Sequence, residues 1–298
     1  MNEMKKKIRF IINPKSGVGK QKKIESLIAS CINSTLFDYE ICYTEAKSHA
    51  TDLSREAAGL HYDAVVAVGG DGTINEVAQG LLNTDTALGI VPAGSGNGLA
   101  RYLKIPINPG KALEIINDFA IKKIDTGNIN GRLFVSIAGV GFDAYVAERF
   151  SKSKNRGFWA YARICITEYI KYHPRKFEIQ VNGKVLNKKA FMLSFANSNQ
   201  FGFNARIAPT AIIDDGYLDL CIVRKPLIYY VIFVLPFIFL GWAHKTPFVS
   251  IIRAKEIRIL QSENNIAHID GDEIDLGKTM EIRIVPESLK IIHKKKAT

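Results

Sequence analysis

The sequence predicts an α/β region built on a parallel sheet, followed by a β-rich region of antiparallel strands. Three observations predict it. Up to Ile121, short Val- and Ile-rich runs alternate with helical patterns, and crossover helices bury such runs on both faces of a parallel sheet. After Lys123, strand candidates follow one another directly, several alternating apolar and polar, as antiparallel strands with one wet face do. A chain of 298 residues, 47% hydrophobic and 23% charged, suits one large or two ordinary globular domains.

In order, "KIRFIIN" reads as a strand and Gly17 to Ser30 as a helix. The strand "YEICYT" precedes a helix from Lys47 to Leu60, "DAVVAV" precedes a helix starting at Thr73, and "ALGIVP" is followed by a helix from Pro109 to Ile121. A domain boundary falls near Asp125. Beyond it the strand candidates are "RLFVSIAG", "KFEIQVNG", "KKAFMLSFAN", "YLDLCIVR", "EIRILQS", "IAHIDGDEI" and "MEIRIVP", and "VNGK" at Val181 to Lys184 is a hairpin turn. No repeat or low-complexity segment interrupts them.

Composition narrows the function classes. Cys31, Cys42, Cys165 and Cys221 lie far apart with no paired spacing, which argues against a zinc site and a disulfide framework and for a reducing compartment. "MNEMKKKIRF" runs from charge directly into a strand, without the apolar core of a signal peptide. The formal net charge is +11, with Lys5, Lys6, Lys7 at one end and Lys294, Lys295, Lys296 at the other. Such a balance serves either solubility alone or an anionic partner, and for the partner an anionic membrane surface is preferred because no zinc finger, RNA-binding signature or helix-turn-helix is present; no nucleic acid is expected. Leu227 to Ala243, "LIYYVIFVLPFIFLGWA", is 17 residues without a charge, at the lower edge of a membrane span and broken by Pro236 and Gly241. A helix or loop that packs on the β region or dips into a bilayer face is the expectation.

The chemistry concentrates in glycine turns. In "VVAVGGDGTINEVAQGL", a strand ends at Gly69, Gly70, Asp71, Gly72, Thr73 and a helix begins. The glycines let a ligand approach the backbone, Thr73 and Glu76 fit a capping box, and the helix N-terminus favours phosphate. An ionised Asp71 would repel that phosphate unless a magnesium ion bridges the two, or unless the carboxylate awaits a hydroxyl to deprotonate; both needs arise in phosphoryl transfer, and the alternative is a turn aspartate that bonds its own backbone. A second turn, "VPAGSGNGLAR", offers Gly94, Gly96 and Gly98, with polar Ser95 and Asn97 and the cation Arg101. Two such turns at neighbouring strand ends form one crevice, where open parallel sheets bind ligands. Neither is a dinucleotide fingerprint, and "NPKSGVGK" after the first strand is not a P-loop; its Asn13 and Lys20 still point to a nucleotide. Further on, "IIDDGYLDL" and "IDGDE" are acid–Gly turns that read either as surface turns or as a base or metal site.

In this order, "NPKSG", "GGDGTINEV", "PAGSGNGLAR", "DDGYLD" and "IDGDE" resemble the diacylglycerol kinase catalytic-domain family, its bacterial lipid kinases in particular, which are related to sphingosine and ceramide kinases. The motifs run from Asn13 to Glu273, most of the chain. The resemblance implies an N-terminal α/β nucleotide-binding domain over residues 1–125, to which the chain returns from roughly residue 286, and a C-terminal antiparallel β-sandwich domain over residues 126–285, with ATP in the cleft between them. It implies ATP and Mg. By position, Asn13, Thr44, Gly69, Gly70, Asp71, Gly72, Thr73, Asn75, Glu76 and Ser95 would line the nucleotide. The proposed base of the acid–Gly–acid motif falls on Asp272, with Asp270 beside it; glutamate usually holds the third place, and here Asp272 is followed by Glu273, so which carboxylate acts stays open. A structural magnesium at the Asp–Gly turn would fall on Asp215 with main-chain oxygens of Ile212 and Tyr217.

The expected activity is ATP- and Mg-dependent transfer of a phosphoryl group to a lipid hydroxyl, with Asp71 holding magnesium or Asp71 or Asp272 acting as base. The lipid is open among diacylglycerol, sphingoid bases and related alcohols, and "GSGNGLA" leans towards a long-chain base. The basic ends would hold the enzyme at an anionic leaflet, at roughly 1 kcal/mol per well-placed Lys or Arg, so a cytoplasmic, peripheral location at the inner membrane face follows. A homodimer through an edge strand is compatible with the pattern. The alternatives are an NAD kinase, which shares the "GGDGT" turn, and a regulatory protein that binds nucleotide or lipid without catalysis.

Overall fold

The computed structural model describes residues 5–16, 21–153, 157–261 and 266–295; Lys20, Lys296 and the first residues of the helix expected from Gly17 lie outside them. The chain divides into two compact units, one running to Ile124 and resuming at Glu287, the other spanning Asp125–Pro286.

The first unit alternates strand and helix: β1 (Lys6–Ile12), α1 (Gln21–Cys31), β2 (Phe37–Tyr43), α2 (His49–Gly59), β3 (Ala64–Gly69), α3 (Asp71–Leu81), β4 (Ala87–Pro92), α4 (Gly98–Tyr102) and α5 (Pro109–Asp118). Its strands lie in the order β2-β1-β3-β4, every pair parallel. Every residue of "AVVAVG" and "ALGIVP" is buried, the signature of strands covered on both faces. The chain steps from β1 outward to β2 and then back across to β3, so the sheet reverses its winding between β1 and β3. Parallel sheets bind ligands at the carboxyl ends of the strands flanking such a reversal. Arg9 of β1, 5% exposed, pairs with Glu40 and donates to Glu56 Oε2 and Leu53 O, both at 2.9 Å, which ties α2 to the sheet.

In chain order the remaining elements are β5 (Ala120–Ile129), β6 (Arg132–Phe134), β7 (Ile137–Gly141), α6 (Phe142–Lys152), α7 (Phe158–Lys171), β8 (Arg175–Val181), β9 (Lys184–Ala190), β10 (Met192–Ala196), β11 (Leu218–Val223), α8 (Ile228–Phe239), β12 (Val249–Ala254), β13 (Glu256–Gln261), β14 (Ile266–Ile269), β15 (Asp272–Asp275) and β16 (Thr279–His293). In the second unit β16, β13, β8 and β9 pair antiparallel in that order. A second antiparallel sheet runs β12-β11-β10-β7-β14-β15. Phe177, Ile179, Ile257, Ile259 and Ile282 of the first share one buried cluster with Val140, Leu193, Phe195 and Leu220 of the second. The fold is thus an α/β unit with a parallel sheet and an antiparallel β-sandwich. The end of β16 belongs to the first unit, where Ile291 lies opposite Leu88 of β4 in parallel.

The structure corrects several boundaries. "RLFVSIAG" is not one strand, because the N–H groups of Val135, Ser136 and Ile137 bond the Asp270 carboxylate instead of a partner strand. "KKAFMLSFAN" is two strands in different sheets, and the chain changes sheet at Phe191, whose N–H bonds Val223 O at 2.7 Å. α6 and α7 fall between the strand candidates "RLFVSIAG" and "KFEIQVNG", where no element was expected; both are dense in Phe, Tyr and Val or Ile, which favour strands by propensity. α5 ends at Asp118, where Phe119 takes a left-handed conformation with φ 45°, and β5 begins at once. The charge-free segment forms α8, none of whose residues is buried.

Candidate active site

In the first unit the turns after β1, β3 and β4 come together. Asn13 follows β1. Its Nδ2 donates to Thr73 Oγ1 at 3.0 Å, its Oδ1 accepts from Lys15 N at 2.9 Å, and its own N–H bonds Val68 O at 3.1 Å. Asn13 is therefore fastened to the first turn of α3. Thr44 sits beside it, half-buried, its N–H on Ile12 O at 3.0 Å.

The turn after β3 needs its glycines for space. A Cβ on Gly69 would lie 2.5 Å from Thr73 Oγ1, and one on Gly94 would lie 2.4 Å from the Cα of Gly70. The two glycine turns thus abut backbone to backbone, which only glycines permit. Ala93 N–H bonds Gly69 O at 2.8 Å and joins them. Asn97, buried and left-handed at φ 51°, closes the second turn by accepting from Gly94 N at 3.0 Å and donating to Gly94 O at 2.8 Å. Arg101 Nε donates to Gly96 O at 3.0 Å. Ser95 stands exposed at the tip.

α3 begins at Asp71, two residues before the expected start, with extended Gly70 as its N-cap and no side-chain cap. Its first-turn N–H groups and its dipole face a half-buried carboxylate and a run of glycine backbone. The expected capping box is not formed. The Glu76 carboxylate crosses instead to α2, accepting from Ser48 N at 2.9 Å and Ala50 N at 3.3 Å, while Thr51 Oγ1 donates to Glu76 O at 2.9 Å. Glu76 therefore fixes the start of α2, and Asn75 lies half-buried beside it.

In the second unit the acid–Gly–acid turn joins β14 to β15. Asp270 is left-handed at φ 49°, and its carboxylate accepts from Val135 N at 2.8 Å, Ser136 N at 2.8 Å and Ile137 N at 3.0 Å. Three amides on one carboxylate make Asp270 a structural anchor of the turn that carries Asp272. Asp272 is exposed at the head of β15 and Glu273 is half-buried. Beneath the turn is a network that has no signal in the sequence: His268 Nε2 lies 3.2 Å from Asp143 Oδ2, to which Ser194 Oγ donates at 3.1 Å, all three buried. The three are distant along the chain and carry no spacing motif. Gly139 is their nearest clue, since a Cβ there would lie 2.3 Å from Asp143 Oδ2.

The turn around Asp215 is held by Asp125, buried, whose Oδ2 accepts from Gly216 N at 2.6 Å. Asp215 itself pairs with Arg253 and accepts from Tyr217 N at 3.0 Å, and the Arg253 guanidinium sits 4.6 Å over the Tyr217 ring. Burial pushes the Asp215 carboxyl above its usual range, against the pull of the Tyr217 N–H and Arg253. Ile212 and Tyr217 are both exposed. The Arg253 guanidinium neutralises the Asp215 carboxylate here, so a structural magnesium at this turn would have to displace it. Among the described residues no group of three or more His, Cys, Asp or Glu could hold a metal. A nucleotide-bound magnesium asks for less, one or two carboxylates with the rest from phosphates and water, and Asp71 is the carboxylate that would supply it.

Residues 7–129 match the model of the diacylglycerol kinase catalytic domain. Residues 136–293 match that of the YegS C-terminal NAD kinase beta sandwich-like domain. A diacylglycerol kinase of Mycobacterium tuberculosis is 30% identical over 299 residues, covering 96% of this chain and 94% of its own. One of Bacillus subtilis is 29% identical over 272 residues, 90% of each chain. A solved diacylglycerol kinase of Bacillus anthracis shares the fold, with a TM-score of 0.74 at 21% identity over 98% of each chain. These matches, on an α/β unit with paired glycine turns joined to a β-sandwich, define a kinase of the lipid-kinase class. The chain belongs to the diacylglycerol kinase catalytic-domain family, and membership of a kinase family implies use of ATP.

Proposed function

We propose that the protein transfers the γ-phosphoryl group of ATP to the hydroxyl of a membrane lipid. The observation that carries this is the backbone contact of the two glycine turns, Gly70 against Gly94, beside the uncapped start of α3 and Asp71. Glycine backbone and helix-start N–H groups suit phosphate oxygens. The Asn13–Thr73 bond ties the end of β1 to α3, and Asn97 holds the second turn. Asp71 would hold magnesium, which when bound would neutralise charge on the transferring phosphoryl group. A carboxylate takes the proton of the acceptor hydroxyl. Asp71 and Asp272 are the candidates, and Asp270 positions the turn that carries Asp272. The relatives are named for diacylglycerol, which makes it the first acceptor to test, with a sphingoid base second.

The test is transfer of labelled γ-phosphate from ATP and magnesium to a panel of micellar lipids, with NAD and a no-acceptor control alongside. Label in a lipid is expected and names the acceptor. Label in NAD, or none in any acceptor while ATP still binds, overturns the reading.

A further inference from the structure

α7 and α8 are unusual for a folded chain. Neither has a single buried residue. On α8, Ile232 is 74% and Phe233 68% exposed; on α7, Trp159 is 82% and Ile166 69% exposed. They lie side by side and antiparallel. The Phe158 ring at the start of α7 is 6.4 Å from Phe239 at the end of α8. At the other end Tyr169 OH donates to Pro226 O at 2.5 Å and Lys225 Nζ donates to Tyr172 O at 2.8 Å. The two helices thus carry exposed apolar side chains on neighbouring elements, and clustered exposed apolar surface marks an interaction site.

The charges around this face select its occupant. Arg163, Lys171 and Arg175 accompany α7, and Arg224, Lys225 and Lys245 flank α8. The one acid on either stretch, Glu168, accepts from Tyr145 OH at 3.1 Å. A second copy docked here would bring cations against cations. An anionic bilayer complements them, and Trp159, Tyr229, Tyr230 and Trp242 have the apolar body and polar tip that settle at head-group depth. The twelve residues of α8 extend about 18 Å, short of the roughly 30 Å hydrocarbon core, and among the described residues no helix is long and apolar enough to cross a membrane.

We propose that α7 and α8 form a monotopic docking surface that lies in the interfacial plane of an anionic lipid bilayer. The proposal rests on the lipid-kinase reading for its purpose, since an acceptor in a bilayer must be met there, but its test is separate. The full chain is sedimented with phosphatidylcholine vesicles, with and without phosphatidylglycerol. Binding to the anionic vesicles is expected, and the double change Ile232→Glu with Phe233→Glu should weaken it by about tenfold or more. Lys245→Glu should weaken it several-fold, and less at high salt. All three positions are exposed, so melting temperature should not move.

Vesicle binding unchanged in the double variant overturns the proposal. So does a wild-type dimer in solution that the double variant splits, which would make the face a protein interface. Transfer to a short-chain acceptor below its micellar concentration should stay at the wild-type rate in the double variant. If the wild type labels no lipid yet still binds vesicles through this face, the kinase reading falls and the docking surface stands.

Discussion

The glycine turns of the α/β unit and the acidic turns of the β-sandwich share a sequence pattern, an acid set among glycines, yet they do opposite things with their polar groups. At Gly69–Thr73 the glycines serve close approach. Gly70 meets Gly94 backbone to backbone, Thr73 is held by Asn13, and α3 starts without a side-chain cap. The polar groups there are arranged around a place for something else. At Asp270 and Asp215 the carboxylates are committed within the protein, one to three amides, the other to Arg253 and the Tyr217 amide. An acid beside a glycine therefore announces a ligand only where the backbone around it is shaped to receive one.

The largest effect expected from this difference is at Asp71. Asp71→Asn keeps the side chain's size and should leave melting temperature unchanged, yet reduce phosphoryl transfer on the order of 10²-fold or more as a metal ligand or base. Near-wild-type transfer would remove Asp71 from the chemistry. The paired change is Gly94→Ala, whose Cβ would lie 2.4 Å from the Cα of Gly70. Backbone cannot yield as a side-chain tip does, so the two turns must separate. A loss of about 1–3 kcal/mol in stability and weaker ATP binding in a titration are expected, and an unchanged ATP affinity would sever the turns from the nucleotide.

The β-sandwich unit should answer in the other order. Asp270→Ala removes the acceptor of three amides and should cost about 2–4 kcal/mol, read as a lowered denaturation midpoint. Asp272→Asn, at an exposed position, should leave that midpoint alone and act on transfer if Asp272 is the base. A stable Asp270→Ala protein with abolished transfer would reverse the roles given to the two residues.

What could be read from the sequence follows the same line. Parallel strands such as "AVVAVG" were legible because they are buried on both faces and bounded by glycine turns. The paired glycine turns were legible as a site because their spacing repeats after neighbouring strands. The partner of each carboxylate was not. Glu76 has the spacing of a capping box to Thr73, but α3 starts earlier and its carboxylate finds the amides of α2, brought near only by packing. Asp270 meets Val135 to Ile137 across more than a hundred residues, and the same contact breaks "RLFVSIAG" in two. α8 was legible as a charge-free segment, but α7 was not read as a helix, because its exposed face is apolar and erases the polar stripe that marks a surface helix.

The smallest effect is at Asp215, where the comparison is sharpest. Its neighbour Arg253 is about half exposed, so the pair contributes little in water. Its titration is more telling. Burial raises the folded-state pKa above the ordinary aspartate value of 3.8, so over that window the folded protein keeps a proton that the unfolded chain has released. The group's contribution to stability is therefore greatest below the unfolded value and declines as pH rises through the window. Asp215→Asn cannot titrate, so its melting temperature should gain on the wild type's over that same rise. Magnesium added to nucleotide-free protein should leave both melting temperatures where they were, because the guanidinium of Arg253 already occupies the cation's role. A magnesium-dependent rise seen in the wild type and lost in Asp215→Asn would show that the metal displaces Arg253, and that this turn, like the one at Asp71, keeps its carboxylate for a ligand.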